Sequence, residues 1–428
     1  MQSYWTAAST RLYNTTAMLK TSAYRRNNQR RHMSSTRPLP FDRPEPLKPP
    51  PAYAELRARE PVAAVTTPAG KPAWLVTSYD GVATVLSDPR FGVVAPGAKT
   101  TGGATLLQDG EPHQRLRRLV GAAFTTRRIE ALRSSAQQLA DEQIIALTAS
   151  GKPADLVAGF AAPLSIAVIA DLLGVEITER GRFRELADAA SRADFLADGG
   201  AQTAEHAWTR FADYVGELIA TKRAQLGDDL LSALIEAGDG NDGPLDDYEL
   251  TTLTLTILAS GYLTATNAIS VGVTQLIAEG RLATLATCGT SEFDAVVEEI
   301  VRLQIGQIGE AFPRWAHTDI ELAGTRIRAG DMVLARLGAA NRDPDRFAEP
   351  DRFDPHRVTA QKRTGRHMAF GRGPHHCLGA ALARLEIGIA LRTLARRLPS
   401  IGLHGDIHDI QWIHSHADAG PIAVHVTW

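Results

Sequence analysis

Phe370-Gly371-Arg372-Gly373-Pro374-His375-His376-Cys377-Leu378-Gly379 is the stretch from which the rest of the chain is read. It sets one cysteine in a loop rich in glycine and stiffened by Pro374. A helix-forming run from Ala380 to Leu391 follows directly. A cysteine so placed faces the backbone N–H groups of a helix N-terminus, whose positive dipole end favours thiolate over thiol. The glycines let backbone approach closely, and Phe370 is positioned to pack beside the sulfur. A thiolate held this way suits the proximal side of haem iron, where its electron donation favours O–O cleavage. The alternative is an inert, buried cysteine beside a glycine turn, and the remainder of the chain separates the two.

Upstream, Glu299-Ile300-Val301-Arg302 lies in the helical pattern Phe293 to Leu303, so Glu299 and Arg302 share one face. Asn341-Arg342-Asp343-Pro344 and Pro350-Asp351-Arg352-Phe353-Asp354 then form an aperiodic, turn-rich stretch before the cysteine loop. Further upstream, His113 and Arg117 are four apart in a helical pattern and therefore on one face. Arg314, in Phe312-Pro313-Arg314-Trp315-Ala316, and His375, two before the cysteine, are further cations near the motif. Each of these alone reads as a solvated helix pair or a surface charge. Their order along the chain toward Cys377 is what points to a site.

Composition narrows the function classes. The 428 residues carry a net charge of -2, with 46 Lys and Arg against 48 Asp and Glu, and no basic stripe with interleaved aromatics. That gives no case for nucleic acid. Cys288 and Cys377 are the only cysteines, which is no disulfide framework and fits a reducing, cytoplasmic location. Cys288 has no chemical company and reads as a small packing residue. Leu250 to Ala278 holds no charged residue, yet nine of its positions are Thr or Ser, from Thr251 to Thr274. A long helix buried in protein explains it better than a membrane span. Residues 1–33 hold no Asp or Glu among many Ser, Thr, Asn and Arg. A transit-like segment is one reading; an added leader or an upstream start, with the natural protein beginning at Met33, is the preferred one.

The coarse pattern is mostly α. Helices are expected at 112–124, 129–149, 164–173, 204–226, 248–278, 293–303 and 378–397, and short strands at 73–76, 320–322, 332–334 and 422–428. A Pro-rich stretch, Pro38 to Pro51, reads as extended backbone.

The spacing Phe370-x-x-Gly373-x-x-x-Cys377-x-Gly379, with the Glu-x-x-Arg helix and the turn-rich stretch before it, resembles the signature of cytochromes P450. The resemblance runs from about Pro46 to Trp428. It implies that residues 34–428 form one catalytic domain, mainly α with a minor β part. Haem b then lies between the long central helix and the cysteine-bearing helix, with Cys377 as axial ligand and Phe370 and Gly371 in the loop beneath it. His113, Arg117, Arg314 and His375 match the positions that hold the haem propionates. Glu299, Arg302 and Arg352 match a buried structural network that pins the loop. The family likeness also implies electrons from NAD(P)H delivered by a ferredoxin reductase and a ferredoxin, with Arg115, Arg118 and Arg372 as candidates for a basic docking face. A haem-thiolate sensor is the remote alternative, and no segment reads as its partner-binding module.

The chain departs from the family pattern in the central helix, which reads Ser260-Gly261-Tyr262-Leu263-Thr264-Ala265-Thr266-Asn267. Aligning Gly261 with the family glycine puts Thr264 at the alcohol and Leu263 where an acid normally stands. An isobutyl group carries no proton, so proton delivery falls to water, the substrate or another side chain such as Glu310. Ser260, Gly261, Ile308, Phe312, His416 and Asp418 are the candidate substrate contacts; the pocket segments also bring Thr256, Gln307 and His414, and that many hydrogen-bonding groups suits a polar, amide-bearing ligand. Phe312 to Ile320 and the tail from Gln411 onward look like actinobacterial P450s that act on cyclodipeptides. Oxidation or oxidative coupling of a Trp- or Tyr-containing cyclodipeptide is therefore the expected reaction. Hydroxylation of a macrolide, terpene or steroid is the alternative.

Overall fold

The computed structural model describes residues 36–98, 105–192, 200–237, 242–304, 312–357, 367–414 and 419–428. The basic extension 1–33 and the candidates Ile308, Glu310, His416 and Asp418 lie outside them. The described residues fold as two compact units, one from 105–135 and 164–263, the other from 36–98, 136–163 and 264–428.

The first unit is helical. Its helices include Gly110–Ala123, Thr126–Ala131, Arg180–Arg192, Gly200–Ala224 and Leu230–Glu236. The single helix expected over 129–149 is two, Thr126–Ala131 and Arg133–Ala149, broken at Leu132; the first starts earlier than expected because the Thr125 side chain caps it, accepting from the Arg128 N–H. Phe183, Phe211 and Tyr214 pack as an aromatic cluster with ring centroids 5.7 to 6.4 Å apart. This joins helix Arg180–Arg192, whose charged surface hid it from periodicity, to helix Gly200–Ala224.

Among the described residues the second unit holds all the strands. Its main sheet has six, in the order Arg37–Pro38, Val62–Thr66, Pro72–Val76, Met332–Ala335, Arg314–Ala316 and Phe91–Gly92. Val62–Thr66 and Pro72–Val76 form an antiparallel hairpin, and Pro72–Val76 runs parallel to Met332–Ala335 with Trp74 opposite Val333. Apolar residues coat both faces of this sheet. Val62, Val76, Val85 and Phe347 lie in one cluster, Leu39, Leu56, Leu75 and Leu334 in the other. Gly402–Leu403, His425–Thr427 and Ala154–Asp155 make a second sheet, so the strand expected at 422–428 is shorter than its apolar run. The hairpin Trp412–His414 with Ala419–Pro421 was not foreseen as strand.

Three helices position the site. Helix Ala380–Arg397 is buried nearly all round. Helix Thr290–Leu303 crosses it so closely that a Cβ on Gly388 would sit 3.3 Å from the Phe293 ring. The central helix, Asp247–Ala278, runs for 32 residues, about 48 Å. Its hydroxyls are satisfied internally: Thr254, Thr256, Ser260, Ser270 and Thr274 each donate to the carbonyl four residues earlier. That is how so many Thr and Ser sit in a buried helix. Among the described residues no helix is long and apolar enough to cross a membrane.

Candidate active site

Cys377 lies in the loop that leads into helix Ala380–Arg397, and it is exposed. The loop closes on itself through backbone hydrogen bonds. The Cys377 N–H donates to Phe370 O at 2.9 Å, Gly371 N–H to Met368 O at 2.9 Å, and His376 N–H to Gly373 O at 3.0 Å. Gly371 and Gly373 both take positive φ, 72° and 74°, where glycine is unstrained. Gly373 has a second reason to be glycine, since a Cβ there would lie 2.4 Å from the carbonyl oxygen of Leu86. The cysteine loop is thereby seated on helix Tyr79–Ser87.

A buried ionic network holds this loop from behind. Glu299 and Arg302 are fully buried and pair side-on, Arg302 Nε to Glu299 Oε2 and Nη2 to Oε1, both at 2.7 Å. Arg302 Nη1 also donates to the carbonyls of Asn341 and Pro350, each at 2.8 Å. Asn341 then accepts from the Met368 N–H through its side-chain oxygen at 2.6 Å. A continuous path of hydrogen bonds therefore runs from Glu299 through Arg302 and Asn341 to the first residues of the cysteine loop. Sequence reasoning placed Asn341 in a turn and missed this role; its amide between an arginine helix and a glycine loop was the available signal.

The second arginine on Glu299 is Arg357, which corrects the expectation of Arg352. Arg357 Nε donates to Glu299 Oε1 at 3.0 Å, and its Nη atoms reach the carbonyls of Ala348, Glu349 and Arg352. The Arg352 side chain is 58% exposed and pairs with Glu349 and Asp354 at the surface. What Arg352 contributes inward is its backbone oxygen. Arg342, also buried, donates to Leu303 O at 2.8 Å. Burial first, then the neighbouring Arg302 charge, lowers its guanidinium to about 10.

One residue before Glu299, a second cluster forms. Glu298 is bridged bidentately by Arg384, with Nη2 to Oε2 at 3.0 Å and a closer Nε to Oε1 bond. His367 Nε2 lies 3.0 Å from Glu298 Oε2. His367 Nδ1 accepts from the Ala369 N–H, so Nε2 is the donor to the carboxylate. Burial alone would push the Glu298 carboxyl up, but the His367 and Arg384 hydrogen bonds outweigh it and hold it down at about 2. The Arg384 guanidinium also lies over the Phe370 ring, 4.5 Å from its centroid.

The remaining predicted residues fall as follows. His113 is buried and Arg117 half-buried on helix Gly110–Ala123 in the first unit. Arg314 is buried on strand Arg314–Ala316 in the second unit and donates to Phe312 O at 3.0 Å. Phe312 is exposed, and His375 is half-buried in the turn Gly373–His375. On the central helix Thr256, Ser260, Gly261, Leu263, Thr264 and Asn267 are half-buried or exposed, while Leu258, Tyr262, Ala265, Thr266 and Ile269 are buried. One face of an otherwise buried helix is thus accessible, and Leu263 on it is 38% exposed. Gly420 of the C-terminal hairpin meets this helix one turn past Thr264; a Cβ on Gly420 would lie 2.0 Å from Asn267 Oδ1. Arg115 and Arg118, candidates for a docking face, are already engaged. Arg115 binds Glu249 and the carbonyls of Asp242 and Pro244, and Arg118 binds Asp242 and Glu111.

The donor set can be tested against haem. Among the described residues no group of three or more His, Cys, Asp or Glu could hold a metal ion. Cys377 offers one sulfur donor. Zinc wants three or four protein ligands, whereas a macrocycle brings its own four nitrogens and needs one. The neighbouring backbone is small as well: a Cβ at Gly379 would lie 3.9 Å from Cys377 Sγ, in ordinary contact. The residues present fit haem.

Comparison with known proteins agrees. The cytochrome P450 family model matches residues 293–399, which span the Glu299 helix, the ionic network and the cysteine loop. Mycinamicin IV hydroxylase/epoxidase of Micromonospora griseorubida is 40% identical over 386 residues, 88% of this chain and 94% of that protein. Cytochrome P450 monooxygenase PikC of Streptomyces venezuelae is 37% identical over 387 residues, 88% of this chain and 90% of that one. A solved structure of a mutant of the mixed-function P450 MycG with mycinamicin IV matches with a TM-score of 0.83 at 38% identity, covering 92% of this chain and 100% of that one. From its buried Glu299–Arg302 pair to its exposed Cys377, and along nearly its whole length, this chain belongs to the cytochrome P450 family.

Proposed function

We propose that this chain, with residues 34–428 as one catalytic domain, is a monooxygenase that hydroxylates or epoxidises a macrolide in secondary-metabolite tailoring. The observation that carries this reading is the 40% identity, across 94% of its partner's length, to an enzyme whose name gives both reactions on mycinamicin IV. The cyclodipeptide coupling expected from the tail and the Phe312 segment finds no support among these relatives, and the hydroxylase alternative replaces it. Haem, which the family implies, supplies dioxygen activation when bound.

The residues of this chain set the conditions for that chemistry. Cys377 would hold the haem iron through its sulfur. The Glu299–Arg302–Asn341 path fixes the loop so that the sulfur is presented in one geometry. Arg314, His375, His113 and Arg117 are the cations assigned to the propionates. On the accessible face of the central helix, the Thr264 hydroxyl is the group that would hold a proton for the chemistry haem supplies. Leu263 beside it carries none, so proton delivery falls to water, to the substrate's own hydroxyls or to another side chain such as Glu310. Thr256, Ser260 and Asn267 extend the same face with groups that orient an oxygen-rich ligand. Electrons are assigned to NAD(P)H through a ferredoxin reductase and ferredoxin. Because Arg115 and Arg118 are held in ion pairs, Arg372 is the remaining candidate for that docking face.

Titration of the ferric protein with mycinamicin IV, with steroids and with Trp- and Tyr-containing cyclodipeptides decides the substrate class. A saturable Soret shift with the macrolide is expected. A shift with a cyclodipeptide alone overturns the macrolide assignment and restores coupling.

A further inference from the structure

The Glu298 cluster is not explained by holding the loop, because the Glu299 network already does that. Its distinctive feature is where the charge ends. Arg384 is bound bidentately by Glu298, anchored by an Nη1 bond to Ala380 O at 3.1 Å, and lies over the ring of Phe370 at 4.5 Å. Phe370 is the residue whose carbonyl accepts the Cys377 N–H at 2.9 Å. His367 Nε2 holds Glu298 at Oε2, the oxygen that also accepts from Arg384 Nη2, and the His367 ring lies 6.2 Å from the Phe370 ring, centroid to centroid. A cation over an aromatic face is held by the ring quadrupole and draws on its electron density. A bidentate carboxylate partner keeps the planar guanidinium from turning away. The arrangement therefore places a fixed positive charge against the one aromatic ring attached to the cysteine loop, with a compensating negative charge behind it.

We propose that Arg384 is a positioning residue that sets the reduction potential of the Cys377-ligated haem through Phe370, and that Glu298 and His367 hold it in register and temper its charge. This rests on the haem-thiolate reading of Cys377 and not on the substrate class. The sign follows from electrostatics. Reduction adds one negative charge to the haem-thiolate unit, so a nearby cation favours the reduced form and a nearby anion disfavours it.

The test is spectroelectrochemical titration of the haem-loaded wild type, Arg384→Gln, Arg384→Lys and Glu298→Gln, each checked by the Soret band of its ferrous carbon monoxide complex. Arg384→Gln is expected to move the potential down and Glu298→Gln to move it up, with a thiolate-type carbon monoxide band in both. Arg384→Lys keeps the charge but not the bidentate fork, and is expected to leave the potential between those of the wild type and Arg384→Gln. Shifts in the same direction for Arg384→Gln and Glu298→Gln mark general damage to the loop and overturn the proposal, as do unchanged potentials. Should Arg384→Gln not retain haem, an upward shift of Glu298→Gln decides for the proposal, and a downward shift or none sinks it. A wild type without a thiolate-type carbon monoxide band would instead refute the haem-thiolate reading itself.

Discussion

Glu299 has no exposed surface, and its carboxylate is met by Arg302, by Arg357 and by the Asp354 backbone N–H at 3.0 Å. Removing one partner of a buried ion pair strands charge in a low-dielectric interior, which costs about 3–5 kcal/mol. Arg357→Ala should fall near about 3 kcal/mol, the low end of that range, because Arg302 remains. Arg352→Ala, on an exposed side chain, should stay within about 0.5 kcal/mol. Urea unfolding of the two variants checks the contrast, and equal losses would contradict the assignment of Arg357. The difference between these arginines was not legible in the sequence. Both stand in an aperiodic stretch, and which one turns inward is set by backbone turns such as Glu349 at φ 46°, which no periodicity announces. Cys377, Glu299 and Arg302 were legible because a glycine-rich loop before a helix, and two charges one turn apart, are local patterns. Arg384 acts across a long sequence separation and left no such trace, and Asn341 left only its place between the arginine helix and the glycine loop.

At the scale of the element, the central helix shows what patterning can and cannot tell. Its length was plain from an uncharged run, and Asp247–Ala278 begins one residue before the expected start. Its accessible face was invisible, because Thr and Ser occupy buried and accessible positions alike once their hydroxyls bond back to the helix. The same ambiguity hid strand Val62–Thr66, whose small apolar residues fit helix or strand until Pro72–Val76 pairs with it. Leu263 lies on the accessible face, so a carboxylate there escapes most of the desolvation cost of a buried acid. Leu263→Asp should therefore fold like the wild type. Next to Thr264 it would add the proton donor that this helix lacks, and the fraction of NAD(P)H consumed that ends in hydroxylated product should rise. Coupling efficiency under turnover is the measurement, and an unchanged ratio would mean that substrate or water already delivers the proton without loss.

Over the whole molecule, acid sensitivity follows from carboxylates held low by arginines. Hydrogen bonds from Arg90, Arg133 and Arg118 lower Asp88, Glu130 and Asp242, and Glu298 falls from 4.5 to about 2. A carboxyl whose pKa is depressed by folding stabilises the fold above its unfolded value and gives that up as pH falls toward its folded value. For Glu298 the window lies between 4.5 and about 2. Glu298→Gln should therefore flatten the acid limb there in thermal unfolding followed by circular dichroism, while stability near neutrality drops. A limb as steep as the wild type's would assign the acid loss to other carboxylates. The seat of Gly373 against Leu86 has a different kind of consequence, one of time. Helix Tyr79–Ser87 leaves the ribosome close to three hundred residues ahead of the glycine that rests on it. At roughly 5–20 residues per second, that is a delay of about 15–60 s. Through that delay the nascent chain carries a half-built cradle, so acquisition of the prosthetic group belongs to the last moments of biosynthesis or to the released polypeptide.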